Sequence, residues 1–307
     1  MARFSANKAH QALLILSAVL LLVGGVFGAT KKGASPKPAV SKPAKKPAPT
    51  PTPAPEPLAP GELPLAAKSA ILLDAKTGDI LYEKNPDEMQ YPASATKILT
   101  ALLVIEQGDL DRRVTIQIED TKVEPSALEF KPGEEYTRRH LLFALLLKSA
   151  NDVALALARD NAGSVAAFAE KMNRRAEALG ATASHFTNPH GLHDPHHFTT
   201  ARDLATIARV AMQQPLFREI VATPEIAMAR GEEWVVTKNH NKLLWMLPGC
   251  IGVKNGYTRP AQHVLVSCAL RAGREAISVV MHSDKPGVWN DSKTLLEHAF
   301  EKLGEGK

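Results

Sequence analysis

The pattern of the chain predicts a mixed α/β fold of the α+β type: one antiparallel sheet flanked by helices, with a helical subdomain inserted between its first and last strands. Two observations carry this expectation. Strand-like runs occur at both ends of residues 65–307, and the span between them is dominated by apolar residues at helical spacing. When the two ends of a chain supply one sheet, the helices between them enclose a core by covering its faces.

Residues 70–73 and 80–82 read as a strand pair around a turn at 74–79 that contains Lys76-Thr77-Gly78. After Tyr91-Pro92-Ala93, residues 94–106 read as a helix that stops by Gln107-Gly108. The apolar run 141–147 and the stretch 153–158 read as buried helices separated by the short polar break Ser149-Ala150-Asn151-Asp152. Val165, Phe168, Ala169, Met172, Ala176 and Leu179 keep a helical period up to Gly180, and Thr200 with Asp203 opens another helix in the manner of a capping box. Residues 251–258 and 262–270 read as a hairpin around Thr258-Arg259-Pro260-Ala261, with a third strand near Ile277 and a closing helix over 292–303.

Ahead of this domain, residues 1–29 carry Arg3, Lys8 and an apolar run from 12 to 29 that ends in small residues. This is the pattern of an export signal peptide, with an uncleaved N-terminal membrane anchor as the alternative. Residues 30–64 hold eleven prolines and six lysines with almost no large apolar side chain, the composition of a disordered, polyproline-II-like linker. The chain's formal charge is +5, and the basic residues of positions 1–64 exceed it, which leaves about −1 for residues 65–307. The basicity therefore belongs to the tail, and a nucleic-acid partner is not implied.

Three strings inside the domain carry chemistry: Ser94-Ala95-Thr96-Lys97, Ser149-Ala150-Asn151 and Lys254-Asn255-Gly256. A serine hydroxyl needs a base within hydrogen-bond reach to become a nucleophile. On a helix, positions i and i+3 share a face, so Lys97 can lie beside Ser94, and burial would favour its neutral, proton-accepting form. Alone, the first string reads more readily as a helix cap with an exposed lysine, and the second as a helix–helix turn. The third lies on a strand whose edge could bind an extended peptide, and Gly256 would let that peptide approach the backbone closely. The earlier Lys76-Thr77-Gly78 precedes the serine and is read as a structural turn.

In order and approximate spacing, the three strings resemble the serine penicillin-recognising enzymes. Phe186-Thr187-Asn188-Pro189-His190-Gly191-Leu192, Ala201-Arg202-Asp203-Leu204-Ala205 and Asn239-His240-Asn241-Lys242-Leu243-Leu244-Trp245 are similar to the low-molecular-mass penicillin-binding proteins that act as serine-type D-alanyl-D-alanine carboxypeptidases. The resemblance covers residues 66–303. It implies the penicilloyl serine transferase, β-lactamase-like fold and an extracytoplasmic enzyme facing the cell wall. It further implies removal of the terminal D-alanine from peptidoglycan stem peptides ending in D-Ala-D-Ala, with β-lactams as covalent inhibitors and no cofactor.

By the same resemblance, Ser94 is the acylated residue, Lys97 its base, and Ser149 with Lys254 the proton relay to the leaving group. Asn151 would bond the substrate backbone, and the N–H groups of Ser94 and Tyr257 would form the oxyanion hole. Lys254, Asn255, Gly256, Tyr257 and His240 would line the substrate side. Asn255 stands where threonine is usual and helps hold the terminal carboxylate, and His240 stands where several members carry arginine. These departures, with Arg259-Pro260-Ala261-Gln262-His263 beside them, motivate a rival reading as a catalytically weak wall-binding protein. A β-lactamase is a second rival, but no Glu-x-x-x-Asn string follows Ser149 at the expected distance.

Cys250 and Cys268 fall nearly opposite each other in the expected hairpin, where both a disulfide and a pair of free, packed thiols fit. His185, His190, His193, His196 and His197 invite a zinc reading. No H-E-x-x-H pair accompanies them, so a loop of structural and exposed histidines is expected, with no metal.

Overall fold

The computed structural model describes residues 61–304 except Glu232; the expected signal or anchor at 1–29 and all but the last four residues of the expected linker lie outside the described residues. Along the chain run β1 (Ser69–Asp74), β2 (Ile80–Lys84), a 3-10 turn (Ala93–Thr96), α1 (Lys97–Gln107), β3 (Arg113–Thr115) and β4 (Glu135–Thr137). Next come α2 (Arg138–Leu147), α3 (Asn151–Ala162), α4 (Val165–Ala178), α5 (Ala201–Met212), α6 (Pro215–Ala222), β5 (Glu225–Arg230) and β6 (Glu233–Lys238). The chain closes with α7 (Leu243–Met246), β7 (Cys250–Thr258), β8 (Gln262–Arg271), β9 (Arg274–Ser283) and α8 (Gly287–Leu303).

The first two strands and the last three form one antiparallel sheet in the order β2-β1-β9-β8-β7, as the pattern predicts. Alternation sends Ile71, Val266 and Val279 to one face and Leu72, Leu265 and Val280 to the other. Both faces are covered, which is why β8 and β9 read as nearly continuous apolar runs. Helix α8 covers one face through Leu295, Leu296 and Phe300, and α5 covers the other through Leu204 and Ala208. Leu63 packs against the same apolar cluster as α8, and the Ala66 and Ala67 N–H groups donate to Asp291 of that helix.

Helix α1 is buried from Lys97 through Val104, apolar there except at Lys97 and at Thr100, whose hydroxyl donates to the Pro189 carbonyl, so it runs through the middle of the helical part. Thr200 caps α5 by accepting the Asp203 N–H, but the box is not closed: the Asp203 carboxylate turns away to Ala183 N and Ser184 Oγ. Two short hairpins, β3–β4 and β5–β6, interrupt the helical middle and carry too little periodicity to stand out in the sequence.

Candidate active site

Ser94 is not a helix cap. It sits inside the 3-10 turn, entered through Ala93 at φ 47, and α1 begins only at Lys97. The tight turn brings Lys97 Nζ to 3.1 Å from Ser94 Oγ. The same nitrogen donates to Asn151 Oδ1 and to the His190 carbonyl, each at 2.7 Å. Those two oxygens can only accept, whereas a serine hydroxyl can also donate. A neutral Lys97 therefore spends both hydrogens on Asn151 and His190 and turns its lone pair to Ser94.

The surroundings favour that neutral form. Lys97 has no exposed surface. Burial pushes its amine well below the usual range, the Lys254 charge pushes it further, and Asp152 pulls the other way. Lys254 is also buried, which lowers it to about 7, and its Nζ donates to the Asn255 carbonyl at 2.7 Å.

Ser149 occupies a left-handed turn between α2 and α3, at φ 61, and its buried hydroxyl has no hydrogen-bond partner among the described residues. An orphaned buried hydroxyl costs free energy unless a ligand uses it. Asn151 is committed differently from the expectation: Oδ1 takes Lys97, and Nδ2 donates to the Pro125 carbonyl. One amide hydrogen remains for a substrate.

Strand β7 is the open edge of the sheet, as peptide addition requires. Gly256 is needed for a reason other than the one read from sequence. A Cβ on it would stand 2.7 Å from Ser94 N and 3.0 Å from Ala93 Cβ, so what comes close is the nucleophile's own backbone. Lys254 and Gly256 are buried on this side. Asn255 pairs with Leu265 on the opposite pleat, half-buried, its amide unpartnered among the described residues. Tyr257 is exposed and its ring lies against His263. His240 lies at the rim, where its N–H donates to the Leu147 carbonyl. Partial desolvation, then the charges of Lys254 and Lys148, lower it to about 4. Near neutrality it carries no charge with which to draw in a carboxylate.

Lys76-Thr77-Gly78 is the expected turn: the Asp74 carboxylate accepts the N–H groups of Lys76 and Thr77, and Arg209 packs on Gly78. The cysteines are free, and a bulge explains why. Cys250 faces Ala269 beneath α8, while Cys268 faces Gly252 and packs on the other side of the sheet. Among the described residues no group of His, Cys, Asp and Glu could hold a metal. His185 bonds the His196 carbonyl, His193 stands edge-on to Tyr91, and His190 and His197 are buried. Sequence reasoning did not anticipate the His190 carbonyl on Lys97, the left-handed Ala93, or Lys148 beside the site. The Asn-Pro-His-Gly-Leu string was the signal available for the first.

The family model for D-alanyl-D-alanine carboxypeptidase matches residues 56–285. The D-alanyl-D-alanine carboxypeptidase DacB2 of Mycobacterium tuberculosis is 37% identical over 242 residues, 76% of this chain and 82% of that one. A D-alanyl-D-alanine carboxypeptidase of a Streptomyces species is 32% identical over 306 residues, 92% of this chain and 97% of its own length. The crystal structure of the Streptomyces K15 DD-transpeptidase aligns with a TM-score of 0.75 at 32% identity, covering 78% of this chain and 99% of that one.

Proposed function

Because this chain belongs to the D-alanyl-D-alanine carboxypeptidase family, we propose that it removes the terminal D-alanine of peptidoglycan stem peptides through an acyl-enzyme on Ser94. It is a serine-type peptidase of that family, which acts on peptides ending in D-Ala-D-Ala and binds β-lactams. The observation that carries the mechanism is the valence of Lys97, whose two hydrogens face acceptors and whose lone pair faces the Ser94 hydroxyl.

Ser94 Oγ attacks the carbonyl of the penultimate D-alanine while its proton passes to Lys97 Nζ. Negative charge on the carbonyl oxygen meets the N–H groups of Ser94 and Tyr257, which Gly256 allows to lie side by side. The C–N bond breaks as the Ser149 hydroxyl, which has no hydrogen-bond partner among the described residues, passes its proton to the departing amine and takes in exchange the proton that Lys97 gained from Ser94, so that Lys97 is neutral again. Water then hydrolyses the ester, with Lys97 taking its proton. Labelling by a fluorescent penicillin together with D-alanine release tests the reading. Label plus release supports it; turnover without lasting label, or label without release, overturns it.

Lys254 is proposed to hold the substrate's terminal carboxylate as a cation. It is protonated below about 7 and neutral above, so kcat/KM should fall as pH rises through about 7. Lys254→Arg, which stays charged, should move that falling limb upward in a pH–rate series; an unmoved limb removes Lys254 from the assignment.

Asn255 is proposed to replace the usual hydroxyl at the same carboxylate by reaching round the open edge of β7. Asn255→Ala should then cost about 1–3 kcal/mol of transition-state stabilisation in D-alanine release, and penicillin acylation should fall in parallel. Asn255→Thr should be tolerated. Unchanged rates in the alanine variant would take position 255 out of the site.

Action on peptidoglycan lies outside the cytoplasm. Residues 1–29 are proposed to export the domain, supported by Arg3, Lys8 and the apolar run after them. The intact mass of the mature protein distinguishes a cleaved signal from a retained anchor, and an unprocessed chain found in the cytoplasm argues against both.

A further inference from the structure

We propose that His197 is a positioning residue for the nucleophile: acting through Thr96, it holds the left-handed turn at Ala93 that sets Ser94 against Lys97 and strand β7. The inference rests on Ser94 being the acylated residue and adds a residue from a distant loop to that machinery.

Ala93 is buried and takes φ 47, a conformation costly for a residue with a Cβ, so something must hold it there. Its carbonyl is gripped from two directions. Thr96 Oγ1 donates to Ala93 O at 2.9 Å, and Gly191 lies so close that a Cβ on it would stand 1.8 Å from that oxygen. Thr96 is held in turn by His197, whose Nε2 lies 2.8 Å from Thr96 Oγ1.

The direction of every bond in this chain follows from valence. The Thr187 N–H can only donate, and it donates to His197 Nδ1 at 3.0 Å, so Nδ1 carries no proton. The Thr187 hydroxyl lies 3.3 Å from the same nitrogen. The hydrogen of Thr96 is spent on Ala93 O, so its oxygen must accept, and the remaining ring proton on Nε2 donates to it. His197 is 1% exposed with Phe186 edge-on at 5.5 Å. Burial lowers the ring to about 4, in keeping with the single neutral tautomer that the geometry demands. The result is a relay of fixed bonds from Thr187 through His197 and Thr96 to the residue before the nucleophile.

The two nitrogens can be replaced one at a time. In His197→Asn the amide oxygen can still accept the Thr187 N–H, but the side chain is too short to reach Thr96. In His197→Gln the amide nitrogen reaches the Nε2 position and can donate to Thr96. The Asn variant should acylate on the order of tenfold to a hundredfold more slowly with KM for a D-Ala-D-Ala peptide little changed, the behaviour of a misplaced nucleophile. The Gln variant should recover most of the rate. Thr96→Val should reproduce the Asn loss, Thr96→Ser should not, and Thr96→Val combined with His197→Asn should be no slower than either alone.

Acylation rates, KM and melting temperatures are measured for all five variants. Equal losses in Asn and Gln, a wild-type rate in Asn, or losses that multiply in the double variant would overturn the proposal. If His197→Asn does not fold, the Thr96→Val and Thr96→Ser pair decides: equal rates in the two overturn it. Mass spectrometry of the wild-type penicillin adduct is done first. An adduct away from Ser94 defeats the nucleophile assignment itself, an outcome distinct from a failed His197 series on a confirmed Ser94 adduct.

Discussion

Ser94→Ala should abolish both penicillin labelling and D-alanine release while the melting temperature stays near that of the parent. The loss should be about 10³-fold at least and can approach the ~10⁶-fold seen when a nucleophile acting in concert with its base is removed. The fold should survive because Ser94 is a member of a 3-10 turn whose hydroxyl caps nothing, and the turn is held by Ala93, Thr96 and Gly191. Lys97→Arg should come close to the same loss for a different reason. It keeps a charge where the mechanism needs a lone pair, because a guanidinium in a protein does not give up its proton. It must also fit a larger planar group where Nζ now meets Ser94, Asn151 and His190. Mass spectrometry that located the adduct on another residue, or an Arg variant with substantial acylation, would refute the assignment.

Gly256→Ala should be the most damaging of the small substitutions outside the nucleophile and its base. The added methyl would begin 2.7 Å from Ser94 N and 3.2 Å from Ala95 N, and both are backbone atoms that cannot swing aside. Either β7 moves away from the 3-10 turn or the Ser94 N–H is displaced from its position against Gly256. Both routes would spoil the proposed oxyanion site. Loss of one such donor costs about 10²–10³ in rate, so acylation by penicillin should fall on that scale, with substrate KM less affected. Gly256 is not at positive φ, so no backbone relief accompanies or offsets the change. An alanine variant that acylates at the parental rate would show that strand and turn are not pressed together in solution.

Much of the fold was legible because its cause is local. Apolar strand runs at 70–73 and 262–270, helical period at 165–179 and the stop at Gly108 or Gly180 are properties of short windows, and each matched its element within a few residues. The hairpins β3–β4 and β5–β6 were not legible. Three-residue strands such as Arg113–Thr115 have no period to read, and β6 turns the exposed side chains of Trp234 and Val236 to solvent where alternation would have placed polar ones. Cys250 and Cys268 looked opposed because a simple register was assumed, and the bulge at Ile251 sends them to opposite faces.

The candidate site divides along the same line. The sequence by itself determined which residue types are available and in what order, Ser94 with Lys97 at i+3, Ser149 with Asn151, and Lys254 before Gly256, since those spacings are covalent. Only the tertiary structure decided what each one does with its valences. The His190 carbonyl reaches Lys97 from 93 residues away, and His197 reaches Thr96 from 101 away. Gly256 is required by the backbone of the 3-10 turn around Ser94, far from it in the sequence. Apart from the Ser94–Lys97 pair, the hydrogen-bond partners of Lys97, its burial and the lowering of its pKa come from groups brought together by packing, which no short window of sequence contains.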